Sequence, residues 1–368
     1  MPLTRRGSGL GLMRRRCGLA MVRCLAVLIG LMSGFALPAG AADLGSPADD
    51  DDNDDHGAVI FAYNRFGEDA FPSASIRLDQ FEAHIAELTS GDYTVMPLND
   101  IVAALRDGKV LPERTVAITI DESYASVYQE AFPRLRAAHL PFTLFVSTDA
   151  IDRGGEAQLT WREIREMAGA GATIGSLAAS PESLPSLDED EAKSSIERAE
   201  RRLTQELGTP PALFAYPYGE YSRGMRDLVA GRNYAAALAQ NSGVAYHASD
   251  RFALPRFVMN ESFGGIDRFR LAANALPLPV RDVTPADPEL TESNPPNLGF
   301  TLPDRLANKT RLACFASGQG RANVEWLDDR VEVRIPEAFP PGRARVNCTL
   351  PADDGRWRWF GIQFFVPD

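Results

Sequence analysis

The chain has 368 residues, a formal net charge of -12 and 45% hydrophobic residues. This acidic balance argues against a nucleic-acid partner, whose phosphates would be repelled. The length is ample for one large hydrophobic core, or for a large and a small one.

The first 41 residues predict a secretory signal peptide. Arginines precede an apolar run from Cys24 to Leu37, and the small residues Ala39, Gly40 and Ala41 follow it. The run is too short for a stable membrane span, so we expect cleavage after Ala41 and no span in the mature protein. An N-terminal anchor helix is the alternative. Export places the protein in the periplasm or outside the cell.

Residues 42–57 predict an acidic, disordered linker. Asp49 to Asp55 form a run interrupted only by Asn53. A calcium loop needs alternating ligands and a turn glycine, and this run has neither.

Residues 58–275 alternate short apolar runs with amphipathic stretches, which indicates a parallel sheet covered by helices. Leu78, Phe81, Ile85 and Leu88 recur at helical spacing, as do residues of the stretch 196–207. The predicted strands are Ala58–Ala62, Val116–Ile120, Phe142–Val146, Thr173–Gly175, Leu213–Tyr216 and Ala235–Leu238.

Prolines mark residues 276–296 as a linker, and residues 297–368 read as a small antiparallel β-sandwich. The predicted strands are Leu298–Leu302, Arg311–Ser317, Val324–Leu327, Val331–Ile335, Arg343–Thr349 and Trp357–Phe365. Cys314 and Cys348 lie in two of them, and in an exported protein we expect a disulfide between them. Trp357, Trp359 and Phe360 suggest a sugar-stacking surface, but core packing is favoured for at least one face of that strand.

The stretch Val116–Tyr124 reads V-A-I-T-I-D-E-S-Y and presents Asp121 and Glu122 at the end of a strand. It resembles the T-F-D-D-G motif of the polysaccharide deacetylases, the NodB-type enzymes of carbohydrate esterase family four. Leu254-Pro255-Arg256-Phe257 resembles a segment of the exported branch of that family. The resemblance implies an irregular (β/α) barrel of about seven strands, followed here by the sandwich.

The resemblance also implies roles for individual residues. Asp121 matches the catalytic base, and Glu122 matches a ligand of the family's divalent, zinc-type metal. Arg256 is a possible partner for Asp121 at the substrate groove. In the second motif, Leu177 and Pro181 replace the two metal-binding histidines, and neither side chain offers a lone pair to a metal.

The segment Phe214–Glu220 resembles the third motif, Phe-x-Tyr-Pro-Tyr-Gly. The backbone N–H of Tyr218 would help to hold the oxyanion, and Tyr216 and Pro217 would shape the sugar groove. Ala215 stands where many relatives have an arginine, so the base would lose an orienting partner. Asn64 stands where many relatives have histidine and would line the same groove.

Few histidines of this sequence are candidates for the catalytic acid. His247 follows a predicted strand and is a candidate catalytic acid at the barrel mouth. His84 lies on a predicted helix and His139 in a turn, and both are expected at the surface.

Two functions follow from this sequence. The first is an exported deacetylase, a hydrolase of non-peptide carbon-nitrogen bonds that removes N-acetyl or O-acetyl groups from an envelope or extracellular polysaccharide, with activity reduced or lost. The second is a pseudoenzyme that keeps the barrel groove for glycan binding or assembly. Replacement of both histidines favours the second, and the resemblance as a whole favours the first.

Overall fold

The structure, a computed structural model, describes residues 54–367. The predicted signal peptide and most of the predicted acidic linker lie outside the described residues. At the end of that linker, Asp54 is buried and Gly57 already belongs to a strand. The linker prediction is therefore wrong for these last residues, because they pack against the folded body.

Short strands dominate the fold. In chain order they are β1 (Gly57–Tyr63), β2 (Arg65–Phe66), β3 (Ser75–Ile76), β4 (Thr94–Val95), β5 (Thr115–Asp121), β6 (Thr143–Val146), β7 (Thr173–Ser176), β8 (Leu213–Ala215), β9 (Ala236–Leu238), β10 (Ala245–Tyr246), β11 (Phe257–Val258), β12 (Leu276–Pro277), β13 (Arg281–Thr284), β14 (Leu298–Thr301), β15 (Ala313–Ala316), β16 (Gly320–Arg321), β17 (Asn323–Leu327), β18 (Arg330–Arg334), β19 (Gly342–Pro351) and β20 (Trp357–Val366).

Within residues 54–367, the α-helices all precede the sandwich strands. They are α1 (Leu78–Ser90), α2 (Leu98–Arg106), α3 (Phe132–Ala137), α4 (Thr148–Arg153), α5 (Trp161–Gly169), α6 (Glu189–Leu207), α7 (Arg223–Ala230) and α8 (Ile266–Ala273). The two helices predicted from apolar periodicity are α1 and the second half of α6, which ends at Gly208 in the left-handed conformation that glycine favours.

The first module is a curled sheet with the strand order β10-β1-β5-β6-β7-β8-β9. All neighbours along this order are parallel except β10. Every residue of β5 is buried, as expected for a parallel strand covered on both faces. The segment 254–258 bridges β9 at Leu254 and pairs with β1 at Phe257, so it links the two edges of the curled sheet.

The second module consists of two antiparallel-rich sheets, which confirms the predicted fold class of an α/β barrel followed by a sandwich. Their strand orders are β12-β20-β19-β15-β16 and β13-β14-β18-β17. Two of these strands, β12 and β13, come from residues 276–296. That stretch is therefore more than a linker, because its backbone pairs with both sheets of the sandwich.

The modules also touch near the barrel mouth. Gln363 of β20 donates a hydrogen bond from Nε2 to the carbonyl of Tyr218 at 2.9 Å, and Trp359 packs edge-on against Phe257 at 5.3 Å. Phe360, on the other face of the strand, packs against Phe300. Trp357 is 37% exposed, so the core-packing expectation holds for Trp359 and Phe360.

Among residues 54–367, no helix is both long and apolar enough to cross a membrane.

The structure confirms the disulfide between Cys314 and Cys348. The two residues face each other directly in the β15–β19 register and are fully buried. The bond closes a loop with a sequence separation of 34 residues. It thereby restricts the unfolded chain more than the folded one.

We predict that replacing both cysteines with alanine lowers the free energy of unfolding by roughly 3 to 4 kcal/mol. Urea unfolding of oxidised wild type and of the double variant measures this difference. Reduced wild type should approach the variant. Free thiols in unreduced protein recovered from the exported compartment would contradict the bond.

Candidate active site at the ends of β5 and β8

Asp121 ends β5 and forms a buried ion pair with Arg256. The guanidinium donates from Nη1 to Oδ1 at 2.6 Å and from Nη2 to Oδ2 at 2.8 Å. Arg256 is 0% exposed and Asp121 is 4% exposed. The remaining donors of Arg256 reach the carbonyl of Ala239 and the hydroxyl of Thr119. This bidentate geometry holds the Asp121 carboxylate in one orientation.

The pair agrees with the expectation that Arg256 is a partner for Asp121. Ala215 lies buried in β8 and offers no charge to Asp121, as its side chain implies. Asp121 nevertheless has an orienting partner, because Arg256 reaches it from the segment that links β9 to β1. The partners are 135 residues apart in the sequence, so only the closed sheet brings them together.

Glu122 follows Asp121 and adopts a left-handed backbone conformation with φ of 74°. This conformation is uncommon for a residue other than glycine and costs about 1–3 kcal/mol. Glu122 is only 6% exposed, and this burial, together with the neighbouring Asp121 carboxylate, raises its pKa to about 8. The Ser147 hydroxyl and the Arg65 guanidinium act in the opposite direction. At neutral pH the side chain is therefore mostly a neutral carboxylic acid.

Arg65 is a site residue that the sequence reasoning did not find. Its guanidinium lies 3.4 Å from the ring centre of Tyr124 and 4.1 Å from that of Phe71. It is also ion-paired with Glu68. Its position after the end of β1, between aromatic residues, was the available signal. Arg65 supplies a fixed positive charge near Glu122.

Ser123 fixes the loop that carries both carboxylates. Its hydroxyl accepts a hydrogen bond from the backbone N–H of Ser147, and its carbonyl accepts one from Leu159. The ends of β5 and β6 are thus joined by side-chain contacts directly beside Glu122.

The second motif does not fit the family's divalent metal. Leu177 is 0% exposed and packs in an apolar cluster with Phe145 and Ala215. Its side chain fills space in the core and provides no ligand, and Pro181 has no donor atom to offer. Residues 54–367 contain no group of three or more His, Cys, Asp or Glu side chains that could hold a metal ion. Because neither position of the second motif supplies a ligand, the residues present here do not fit the family's metal.

The third motif forms a tight turn after β8. Tyr218 has φ of 58°, and Gly219 has φ of 72°. A Cβ on Gly219 would lie 2.4 Å from the backbone nitrogen of Gln240, so glycine is required there. Tyr218 is 42% exposed, and its pKa is raised by burial and by the nearby Glu122.

The predicted groove is smaller than the sequence suggests. Tyr216 is fully buried and donates its hydroxyl to the carbonyl of Phe252, and Pro217 is buried beside it. Arg256 lies in the barrel interior. These three side chains support the site from beneath, and a ligand at the surface would meet Tyr218. Tyr218 combines this exposure with a left-handed backbone conformation.

Asn64 follows β1, whose residue Tyr63 pairs with Ile120 of β5. It therefore lies beside the Asp121 end of the sheet. Its Oδ1 atom is buried without a hydrogen-bond partner among the described residues, which leaves one acceptor available near the site.

The structure corrects the expectations for two histidines. His247 follows β10, which pairs antiparallel with the start of β1, at the end of the sheet opposite Asp121. It lies 3.5 Å from Asp54 and cannot act as an acid at the mouth. His84 is not at the surface: it is 1% exposed, hydrogen-bonded to Tyr63 and Gly264, and burial lowers its pKa to about 4. His139 is exposed, as expected.

A crevice of about 370 Å³ lies away from this site, between the two modules. Tyr246, Pro255, Leu278 and Trp359 contribute to its wall. Asp121, Glu122 and Tyr218 do not line it, so the candidate site is a surface at the strand ends and separate from this crevice.

Comparison with known proteins identifies the first module. Residues 108–237 match the family model described as polysaccharide deacetylase. The chain contains a polysaccharide deacetylase-family domain. Its β5 to β9 region, with both carboxylates and the Tyr-Pro-Tyr-Gly turn, lies within or directly beside the matched residues.

Two relatives and one solved structure illustrate the similarity. The chain is 24% identical over 186 residues to YxkH of Bacillus subtilis (strain 168), a protein assigned to the polysaccharide deacetylases, covering 50% of this chain and 66% of that one. It is 24% identical over 201 residues to the poly-beta-1,6-N-acetyl-D-glucosamine N-deacetylase of Staphylococcus aureus (strain MSSA476), covering 51% and 68%. The deacetylase PplD of Streptococcus pyogenes, solved with acetate, superposes with a TM-score of 0.55 at 19% identity, covering 59% of this chain and 98% of that one.

These similarities limit which properties of the relatives can be assigned to this chain. The chain spans about two thirds of the length of either relative, and just under that for YxkH. The match to PplD establishes a shared fold. The activities and substrates of these proteins are considered for this chain only as proposals.

We predict that Glu122→Gln changes the pH dependence of stability. The folded-state pKa of about 8 lies above the ordinary value of 4.5, so the unfolded chain releases this proton first as pH rises. Wild type should therefore lose stability relative to the variant between these two pH values, by up to about 1.4 kcal/mol per pH unit.

Unfolding free energies at several pH values, for wild type, Glu122→Gln and Glu113→Gln, measure this effect. Glu113 is exposed, so its variant is a matched control that should follow wild type. Parallel curves for wild type and Glu122→Gln would show that Glu122 ionises normally.

A second prediction concerns the buried pair. Asp121→Leu or Arg256→Met alone leaves an uncompensated buried charge and should cost about 3–5 kcal/mol. The double variant should cost much less than the sum, because neither charge remains. Urea unfolding of the three variants completes the cycle. Additive losses would mean that the two side chains do not depend on each other.

Proposed function

We propose that this chain is an exported glycan-binding protein with a polysaccharide deacetylase fold, in which the groove is kept and metal-dependent deacetylation is lost. The observation that carries the proposal is the state of the metal site. Leu177 and Pro181 occupy the histidine positions, Leu177 is packed into the core, and neither side chain offers a lone pair to a metal.

Tyr218 and Glu122 are suited to binding an acetylated sugar. Tyr218 presents a half-exposed ring on which a sugar can stack. Glu122 lies close enough to Tyr218 to influence its pKa. A neutral carboxylic acid can donate a hydrogen bond to an acetyl carbonyl, which a carboxylate cannot do. The buried Asp121–Arg256 pair holds the strand end beneath them in place.

The ligand class is proposed from this chemistry and from the relatives. The Staphylococcus aureus relative is named for a polymer of N-acetyl-D-glucosamine. An acetamido-sugar polymer of the cell envelope or the extracellular matrix would present both a sugar face and an acetyl carbonyl. We therefore propose this class for the present chain.

Export is supported by two features. The N-terminal 41 residues have the composition of a signal peptide, although they lie outside the described residues. The Cys314–Cys348 disulfide is typical of an oxidising compartment. We propose a periplasmic or extracellular location and a barrel module of residues 58–275. The sandwich module would begin at β12, because β12 already pairs with β20.

A second candidate function is residual hydrolysis of the acetyl group. The retained Asp121–Arg256 pair and the Tyr218 turn favour it, since both belong to the machinery that the family resemblance implies. Water would add to the acetyl carbonyl, the bond to the sugar nitrogen would break, and acetate and an amine would be released. The carboxylate of Asp121 would accept the proton from water and pass it to the leaving amine nitrogen.

We predict that Tyr218→Ala weakens binding of an N-acetylglucosamine oligosaccharide by about tenfold, which corresponds to about 1.4 kcal/mol. Leu327→Ala, a change at an exposed apolar residue in the other sheet of the sandwich, is the control and should leave the affinity unchanged. Calorimetric titration with and without a metal chelator measures both, and the chelator should have no effect.

Acetate release from the same oligosaccharide separates the two candidates. Release by wild type that Asp121→Asn abolishes would establish the hydrolase and reject the binding protein without catalysis. Equal affinity of wild type and Tyr218→Ala would reject the proposed groove.

A further inference from the structure

Three arginine side chains converge where the sandwich meets the barrel mouth. Arg343 and Arg345 lie on β19, two residues apart and so on the same face of the strand. Arg268 lies on α8 of the barrel. The guanidinium of Arg343 lies 5.2 Å from the ring centre of Tyr218, so the cluster adjoins the proposed groove.

Two of these arginines have unsatisfied donors. The Nε of Arg345 and the Nη1 of Arg268 are buried and have no hydrogen-bond partner among residues 54–367. The Nη2 of Arg345 donates to the neutral Oε1 of Gln240 at 3.3 Å. In the part of the chain that the structure describes, no ion pair joins Arg268 or Arg345 to a carboxylate.

The local charge is strongly positive. Burial, together with the charges of Arg343 and Arg268, lowers the pKa of Arg345 to about 10. The opposing carboxylate is Glu220, which lies 3.3 Å from Arg343 and whose own pKa is raised by burial. Glu220 therefore acts on Arg343 and Arg345, and no carboxylate among residues 54–367 is recorded against Arg268.

This arrangement of arginines destabilises the folded protein when no ligand is bound. A partly buried guanidinium without a carboxylate partner loses hydration, and each unsatisfied N–H adds to that cost. An oxyanion relieves both, because its oxygens accept charge-assisted hydrogen bonds from several guanidinium groups at once. Ordered water could satisfy the donors but would leave the charge uncompensated.

We propose that Arg268, Arg343 and Arg345 form a binding site for an oxyanion, such as a phosphate, sulfate or carboxylate group, beside Tyr218. The anion is either a free inorganic ion or an acidic substituent of the glycan. The latter case rests on the proposed function, and it would make an acidic glycan the preferred ligand. The sandwich module would then contribute directly to ligand selection.

Inorganic phosphate, titrated at constant ionic strength, tests the site. Wild type and Arg321→Gln, a variant of an exposed arginine in the same module, should gain thermal stability with phosphate to the same extent. Arg345→Gln should bind phosphate about tenfold or more weakly. Without phosphate its melting temperature should not fall, because the substitution removes an uncompensated charge. No stabilisation of wild type by millimolar phosphate or sulfate, or equal stabilisation of Arg345→Gln, would overturn the proposal.

An acidic and a neutral oligosaccharide then distinguish the two sources of the anion. If the glycan supplies it, an oligogalacturonide should bind more tightly than phosphate and should be weakened by both Arg345→Gln and Tyr218→Ala. If a free ion supplies it, phosphate binds and the oligogalacturonide does not. Either result supports the arginine site. A neutral N-acetylglucosamine oligosaccharide should respond to Tyr218→Ala but not to Arg345→Gln, so failure of the groove and failure of the anion site are separate outcomes.

Discussion

The buried ion pair between Asp121 and Arg256 is the interaction on which the site depends. Both charges are almost completely removed from water, so each is tolerable only because the other is present. Arg256 belongs to the segment that links β9 to β1, and Asp121 ends the strand next to β1. The pair therefore requires the sheet to curl until its edges meet, and it fixes the height at which the strand ends present their side chains.

The two carboxylates of the site differ because Asp121 and Glu122 have different neighbouring groups. Asp121 has a dedicated cation within hydrogen-bonding distance. Glu122 has only the more distant influence of Arg65 and the Ser147 hydroxyl, which do not offset its burial and the neighbouring negative charge. A resident divalent cation would reverse this balance, but the second motif contributes an apolar core residue, Leu177, where such a cation would need a ligand. Asp121 is thus held by its guanidinium partner, whereas burial and the neighbouring carboxylate raise the pKa of Glu122 to about 8. This division is the physical basis for proposing binding over catalysis.

Residues of the sandwich contact Tyr218 at the candidate site. Gln363 holds the carbonyl of Tyr218, and Arg343 lies over its ring. The disulfide in the neighbouring β15–β19 pair braces the strand that carries Arg343 and Arg345. The left-handed backbone of Tyr218 and the close approach at Gly219 place this turn against β20 and Gln240. In the proposed function, both modules would therefore contribute to ligand selection.

Sequence patterns predicted the central strands of the barrel, most strands of the sandwich and the resemblance to the family. Apolar runs predicted β1, β5, β6, β7, β8 and β9, because parallel strands are buried on both faces, and two strand-borne cysteines predicted the disulfide. The local motifs also located Asp121, Glu122 and Tyr218.

The tertiary structure determines which of these side chains contact one another. Arg256 pairs with Asp121 across 135 residues, His84 is buried by α8 and its preceding loop, and His247 lies at the wrong end of the sheet because β10 runs antiparallel to β1. Burial and charge pairing depend on neighbours that are distant in the chain. The raised pKa of Glu122 and the unsatisfied donors of Arg268 and Arg345 therefore become visible only in the folded protein.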